Sequence, residues 1–150
     1  MGFLATNQPS HKQPDYSIEL LRKMGCRACP LDRVKGNANP HMEPTGATKP
    51  KVYVLGEAPG EDEDAEGEQF VGASGKVLRS QIPSEWKPLI RWNNVVRTRP
   101  PKNRDPTKVE IECCRPSVAS DIAKSKPKAI FGFGLVPLRW LLNRDQIQLW

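Results

Sequence analysis

The stretch Pro50-Lys-Val-Tyr-Val-Leu-Gly-Glu-Ala-Pro-Gly60 decides the fold. Val52 to Leu55 is a compact apolar run bounded by Pro50 and Gly56, and reads as a buried strand. It empties directly into Gly56-Glu-Ala-Pro-Gly60, a tight turn in which glycine permits close backbone approach and Pro59 fixes the path. An acidic stretch follows to Glu68.

Working outward, the pattern repeats. Residues 74–82 read as a helix and Asn93-Asn-Val-Val-Arg97 as a second strand. Arg99 to Pro106 is a basic, proline-rich loop. Thr107-Lys-Val-Glu110 has the spacing of a capping box, so a helix is expected from 108 to about 124, bent at Pro116. Lys128 to Phe131 reads as a third strand, and Leu135, Leu138, Leu141 and Leu142 form one face of a last helix. Upstream, Ile18, Leu21 and Met24 give a short helix ended by Gly25. Cys26-Arg-Ala-Cys29-Pro-Leu and a Gly/Asn/Pro-rich loop to Pro50 come next.

Strands alternating with helices predict a three-layer α/β/α domain with a central, mainly parallel sheet. Residues 1–14 read as a mobile arm and 15–150 as the domain. In such sheets ligands bind outside the carboxyl ends of the strands. The Gly56–Gly60 and Arg97–Asp105 loops are both expected there, on one crevice.

Composition narrows the class. The chain has 150 residues, a length that suits one domain, and no apolar run approaches the roughly 18 residues a membrane span needs. The polar start lacks the apolar core of a secretory signal, and four Cys are too few for a disulfide scaffold. A cytoplasmic, monomeric protein is expected, with Cys for metal or packing. A net charge of +6, from 23 basic and 17 acidic residues, suits a polyanionic partner such as nucleic acid, or simply a basic solvated surface.

Several spaced motifs, in order, carry a resemblance from about Leu20 to Leu142. They are Gly56-Glu-Ala-Pro-Gly60, Glu63-Asp64, Gln69-Phe-Val-Gly72 and Ser74-Gly75-Lys-Val-Leu78. Asn94-Val-Val-Arg-Thr-Arg-Pro-Pro101, Asn103-Arg104-Asp105-Pro106 and Cys114-Arg-Pro116 follow, then Ala129-Ile-Phe-Gly-Phe-Gly134. Together with Cys26-x-x-Cys29-Pro-Leu, these resemble the family 4 uracil-DNA glycosylases. The resemblance implies a uracil-DNA glycosylase-like fold and removal of uracil from DNA, by flipping the nucleotide into a pocket and hydrolysing the bond between base and sugar. By motif position, Phe70 would stack on the flipped base and Asn94 would read its polar edge, since an amide offers both donor and acceptor. Glu57 and Glu63 would position or polarise the attacking water. Backbone amides near Gly56 and Ala58 would hold the base or a nearby phosphate. Arg97, Arg99, Lys102 and Arg104 would neutralise phosphates, with Lys76 and Arg79 adding to the footprint. Plainer alternatives stand beside these: Phe70 as core, Asn94 as a strand-end cap, Glu63 as a solvated charge.

Two features depart from that family. Relatives hold a four-iron, 4Fe-4S cluster with a CxxC pair, a Cys before Arg-Pro-Pro and a Cys before the later Arg-Pro. Cys26, Cys29 and Cys114 match three of these positions, but the fourth is Thr98. Cys113 supplies a further thiol beside Cys114, although neighbouring residues on a helix point about 100° apart. A cluster with these cysteines is the leading expectation. A cluster with a non-Cys ligand, a zinc site using Cys113 or His41, and no metal stay open. Relatives also continue into another strand and a His-Pro-type loop, whereas this sequence ends at Trp150 with a strand-like Gln146-Ile-Gln-Leu-Trp150. It is then either a fragment or a shortened member. The competing reading is a weakly active or inactive DNA-binding module attached to a replication or repair partner. A generic nucleotide-binding domain fits less well, since no glycine-rich phosphate fingerprint leads into a helix.

Overall fold

The computed structural model describes residues 16–143. The expected arm at 1–14 and the strand-like end at 146–150 lie outside the described residues. Four strands form one sheet in the order β1-β3-β2-β4, with β1 at Thr45–Gly46, β2 at Val52–Gly56, β3 at Ile90–Asn94 and β4 at Ala129–Gly132. β2 is parallel to both β3 and β4, while the short β1 runs antiparallel to β3. Among the described residues five α-helices accompany them: α1 Ile18–Met24, α2 Glu61–Glu66, α3 Ala73–Ser80, α4 Lys108–Ser125 and α5 Leu135–Leu142.

Alternation along the central strand sorts the layers. Tyr53 and Leu55 face α1, α4 and α5 in a core that includes Leu21, Val118 and Trp140. Val54 faces the other way, packing with Ile90, Trp92 and Phe70, against which Leu78 of α3 is placed. The sheet is therefore covered on both sides, as parallel strands require.

The second strand begins and ends three residues earlier than the sequence suggests. Ile90 and Trp92 supply the apolar face, and Val95 and Val96 leave the ladder to become fully buried. Their N–H groups donate to the carbonyls of Gly56 and Glu57, at 2.8 and 3.2 Å, so the chain stays pinned along the turn beyond β2. The acidic stretch forms α2, whose first turn carries Glu61, Asp62, Glu63 and Asp64, a favourable placement at the positive end of a helix. The Thr107–Glu110 capping box forms as expected, and α4 extends to Ser125 with Pro116 inside it.

Register fixes the geometry of the crevice. Gly56 pairs with Asn94 across the β2–β3 ladder, and Phe133, just beyond β4, donates its N–H to the Leu55 carbonyl at 2.8 Å. Gly56, Asn94 and Phe133 thus stand side by side at the carboxyl edge of the parallel strands.

Candidate active site and thiol cluster

A cleft of about 590 Å³ opens at this edge. Gly56, Glu57, Ala58, Glu63, Phe70, Asn94, Arg104 and Phe133 are among its lining residues. The two loops singled out from sequence therefore meet on one cavity.

Gly56 sits where no side chain fits. A Cβ there would overlap Asn94 Oδ1 and come within 2.6 Å of Phe70 Cζ. Phe70 is buried and holds a left-handed backbone (φ 56°), an uncommon conformation for a bulky residue. Its ring packs against Trp92 (5.2 Å) and edge-on to Phe133 (6.2 Å). Arg79 holds the strained segment. Its guanidinium donates to the carbonyls of Phe70 (3.0 Å) and Gln69 (2.7 Å) and lies 4.2 Å over the Trp92 ring. Arg79 is therefore a brace for Phe70, not a residue free for phosphate.

Asn94 is buried and fixed from two sides. Its backbone N–H donates to Asn93 Oδ1 (2.9 Å), and its side-chain N–H donates to Gln69 Oε1 (2.5 Å). Gln69 in turn donates to the Glu43 carbonyl (3.3 Å), which fixes the direction of both amides. Behind Asn93 a polar network runs through the sheet. Asn93 donates to the Tyr53 hydroxyl (2.9 Å), which donates to Asp121 of α4 (2.7 Å), which also receives Arg91. Burial and the neighbouring Asp121 raise the Tyr53 phenol well above its usual range, so it stays a donor.

The two glutamates differ. Glu63 accepts three backbone N–H groups, from Gly60 (3.0 Å), Val71 (3.0 Å) and Gly72 (2.8 Å). It clamps the Gly60 turn to the start of α3, which engages the carboxylate expected to act on water. Glu57 is half-buried beside Asp105, and its carboxyl is raised above the usual range by burial and then by the Asp105 carboxylate.

The basic residues also part company. Arg97 turns inward, donating to the carbonyls of Met42 (2.8 Å) and His41 (3.1 Å) and pairing with Glu43. Its guanidinium is a loop brace and does not line the cleft, in contrast with its expected phosphate role. Arg99 donates to Asn103 (2.7 Å) and Glu61 (3.3 Å). Arg104 does line the cleft, and grips the buried Glu110 with both nitrogens at 2.9 and 2.6 Å. Lys102 and Lys76 are exposed.

Sequence reasoning missed Gln69, Asp105 and Phe133. Gln69 stood inside a quoted motif next to Phe70, and its type, an amide adjacent to a ring, was the available signal. Asp105 and Phe133 act only through their position in space.

A second centre lies at the far end of the same loop. The four cysteines gather between the turn after α1 and the middle of α4. Cys26, Cys29, Cys113 and Cys114 lie close enough to perturb one another. Burial pushes Cys113 up to about 12 and Cys114 up to about 11, the latter against a hydrogen bond from the Arg97 backbone. Cys113 packs in the core with Leu21 and Leu31. Thr98, in the fourth family position, is buried, and its hydroxyl accepts the His41 N–H (3.0 Å). The four thiols thus lie in one neighbourhood and are of the soft type a metal centre uses, whereas the threonine is engaged in holding the neighbouring loop. Among the described residues, the donor atoms grouped within 4.8 Å of one another belong to Cys26, Asp32 and His41.

The model of the uracil DNA glycosylase superfamily matches residues 43–149. The chain belongs to this superfamily. The type-4 uracil-DNA glycosylase of Archaeoglobus fulgidus is 37% identical over 122 residues, covering 80% of this chain and 60% of the relative. That of Pyrobaculum aerophilum is 37% identical over 120 residues, covering 79% and 60%. That of Thermotoga maritima is 29% identical over 126 residues, covering 83% and 64%. The chain therefore spans about 60% of the length of these superfamily members. Among the described residues, no helix is long and apolar enough to cross a membrane.

Proposed function

We propose that this chain excises uracil from DNA by hydrolysing the N-glycosidic bond of a flipped nucleotide. One observation carries the reading: Phe70 and the Asn94 amide flank a glycine, Gly56, that cannot be larger. That arrangement suits a flat heteroaromatic base with an amide-like edge. The Phe70 ring would stack on the base, with Phe133 behind it. Asn94 would give its second N–H to uracil O4 and accept N3–H at Oδ1, while Gln69 keeps the amide from flipping. Cytosine, with a donor at position 4 and no N3–H, reverses that pattern.

In the reaction, water oxygen bonds to C1′ of the sugar as the bond to N1 of the base breaks. The bonding pair leaves with uracil, and the water proton passes to Glu57. Burial beside Asp105 raises the basicity of Glu57 for that task. Glu63 positions rather than reacts, since its oxygens hold the Gly60 and Gly72 amides. Lys102 and Lys76, both exposed, are the proposed phosphate contacts, with Arg99 at the rim, while Arg104 is held at the cleft wall by Glu110. Cys26, Cys29 and Cys114 would hold a metal centre, an iron–sulfur cluster by the family resemblance. It would tie the turn after α1 to α4 and residues 97–99.

Base release is the test. A uracil-containing oligonucleotide, single- or double-stranded, is incubated with the protein and any abasic site cleaved with alkali. Uracil-specific cleavage that Asn94→Ala abolishes supports the reading. A folded protein that binds DNA in a salt-sensitive way without releasing uracil overturns it, and leaves a DNA-binding module.

A further inference from the structure

Thr98 leaves the thiol set one donor short. We propose that His41, through Nδ1, is the fourth protein ligand of the centre formed with Cys26, Cys29 and Cys114, and that Asp32 orients it. The inference rests on the metal centre proposed above and names its missing ligand.

Three observations converge on His41. Its Nδ1 lies 3.7 Å from Cys26 Sγ. Its Nε2 lies 3.0 Å from Asp32 Oδ1. Metal-ligating histidines commonly donate the second ring N–H to a carboxylate, which fixes the tautomer and leaves the other nitrogen's lone pair for the metal. Finally, the backbone of His41 is held in a left-handed conformation (φ 56°) by anchors on the loop that replaces the cysteine. Its N–H donates to Thr98 Oγ1, its carbonyl accepts from Arg97, and Met42 N–H donates to the Arg97 carbonyl at 2.7 Å. Thr98 thus holds the backbone of the residue that takes over the missing cysteine's role.

Cys113 is the rival. Its side chain is 4% exposed within the apolar core beside Leu21 and Leu31, with its thiol toward Cys29. Leaving the core to ligate would break that packing. Three thiolates and one imidazole suit an iron–sulfur cluster or zinc, both soft-ligand centres.

The test purifies the 150-residue chain without oxygen and measures iron, acid-labile sulfide and zinc per chain. His41→Asn, Asp32→Asn and Cys113→Ala are compared with the parent, Asn being chosen because it tolerates a left-handed backbone. The parent is expected to hold a full complement, with the iron–sulfide or zinc result naming the centre. His41→Asn is expected to lose metal to a chelator at least tenfold faster, Asp32→Asn to a lesser degree, and Cys113→Ala to keep it. A reduced cluster should show a nitrogen coupling in its electron-spin spectrum that His41→Cys removes while metal content is retained. Metal retained in His41→Asn but lost in Cys113→Ala assigns the ligand to Cys113 and overturns the inference, leaving the centre standing. A folded parent without iron or zinc overturns the centre and the inference together.

Discussion

Asn94 gives a side-chain N–H to Gln69 Oε1 at 2.5 Å, and both amides are buried. The pairing leaves Asn94 with one N–H and one carbonyl oxygen for the cleft, in a direction it cannot reverse. Gln69→Ala removes the brace and leaves a buried donor unpaired, at a cost of about 1–3 kcal/mol. The expected outcome is a fall in kcat/KM of roughly 10- to 100-fold, with relaxed discrimination of uracil from cytosine. Paired uracil and cytosine oligonucleotides check it.

Glu57 is half-buried beside the Asp105 carboxylate. The Glu57 carboxyl is raised by burial and then by Asp105, so its ionisation shifts to higher pH. The acid limb of the kcat/KM profile is expected above the usual 4.5. Asp105→Asn removes a repelling charge and should move that limb to lower pH. An unmoved limb in single-turnover profiles would sink Glu57 as the base.

Glu110 links pH to stability. Burial alone would raise its carboxyl, but Arg104 and the Thr107 cap outweigh burial and hold it below 4.5. The folded pKa is depressed, so the stabilisation is present above about 4.5 and lost as pH falls through the folded value. Acid unfolding of Glu110→Gln should therefore show a shallower dependence below pH 4.5 than the parent, from a lower starting stability at pH 7. Denaturant titrations across pH 2–7 give both numbers.

The Phe70 backbone leaves no room at Gly75, where a Cβ would overlap the Phe70 carbonyl group and come within 2.6 Å of its Cα. Gly75→Ala is expected to cost about 1–3 kcal/mol and lower Tm by roughly 3–10 °C. Activity should fall further than stability explains, because the displaced ring is the proposed stacking surface. Melting curves beside base-release rates at 20 °C separate the two effects.

Positive residues should divide by geometry rather than by charge. Lys102→Ala or Lys76→Ala is expected to reduce the slope of log K against log salt by about 1. Arg97→Ala should instead lower Tm, because its guanidinium braces His41, Met42 and Glu43. Salt-series binding titrations and thermal melts of the three variants decide the matter.

The strand Val52–Leu55, the capping box and the last helix were legible because each rests on local pattern: an apolar run, a Thr–Glu spacing, a leucine face. The convergence of two loops on one cleft followed from strand order. Three features were not legible. The direction of the Arg97 side chain depends on a loop 55 residues away in sequence. The role of Glu63 depends on two amides that meet only when α2 and α3 pack. His41 was named from sequence only as an alternative zinc ligand, and its pairing with Asp32 and its anchoring by Thr98 were not legible, since these residues come from separate segments.

Val95 and Val96 are fully buried and tied to the Gly56 and Glu57 carbonyls, with Asn94 fixed before them and Thr98 locked after them. The stretch from 94 to 98 behaves as a ruler of set length between the cleft and the thiol cluster. A single inserted or deleted residue would put either the amide or the threonine out of step, so a change of length is expected to be tolerated only elsewhere. The exposed connection around Pro83–Lys87, between α3 and β3, has the slack to absorb it.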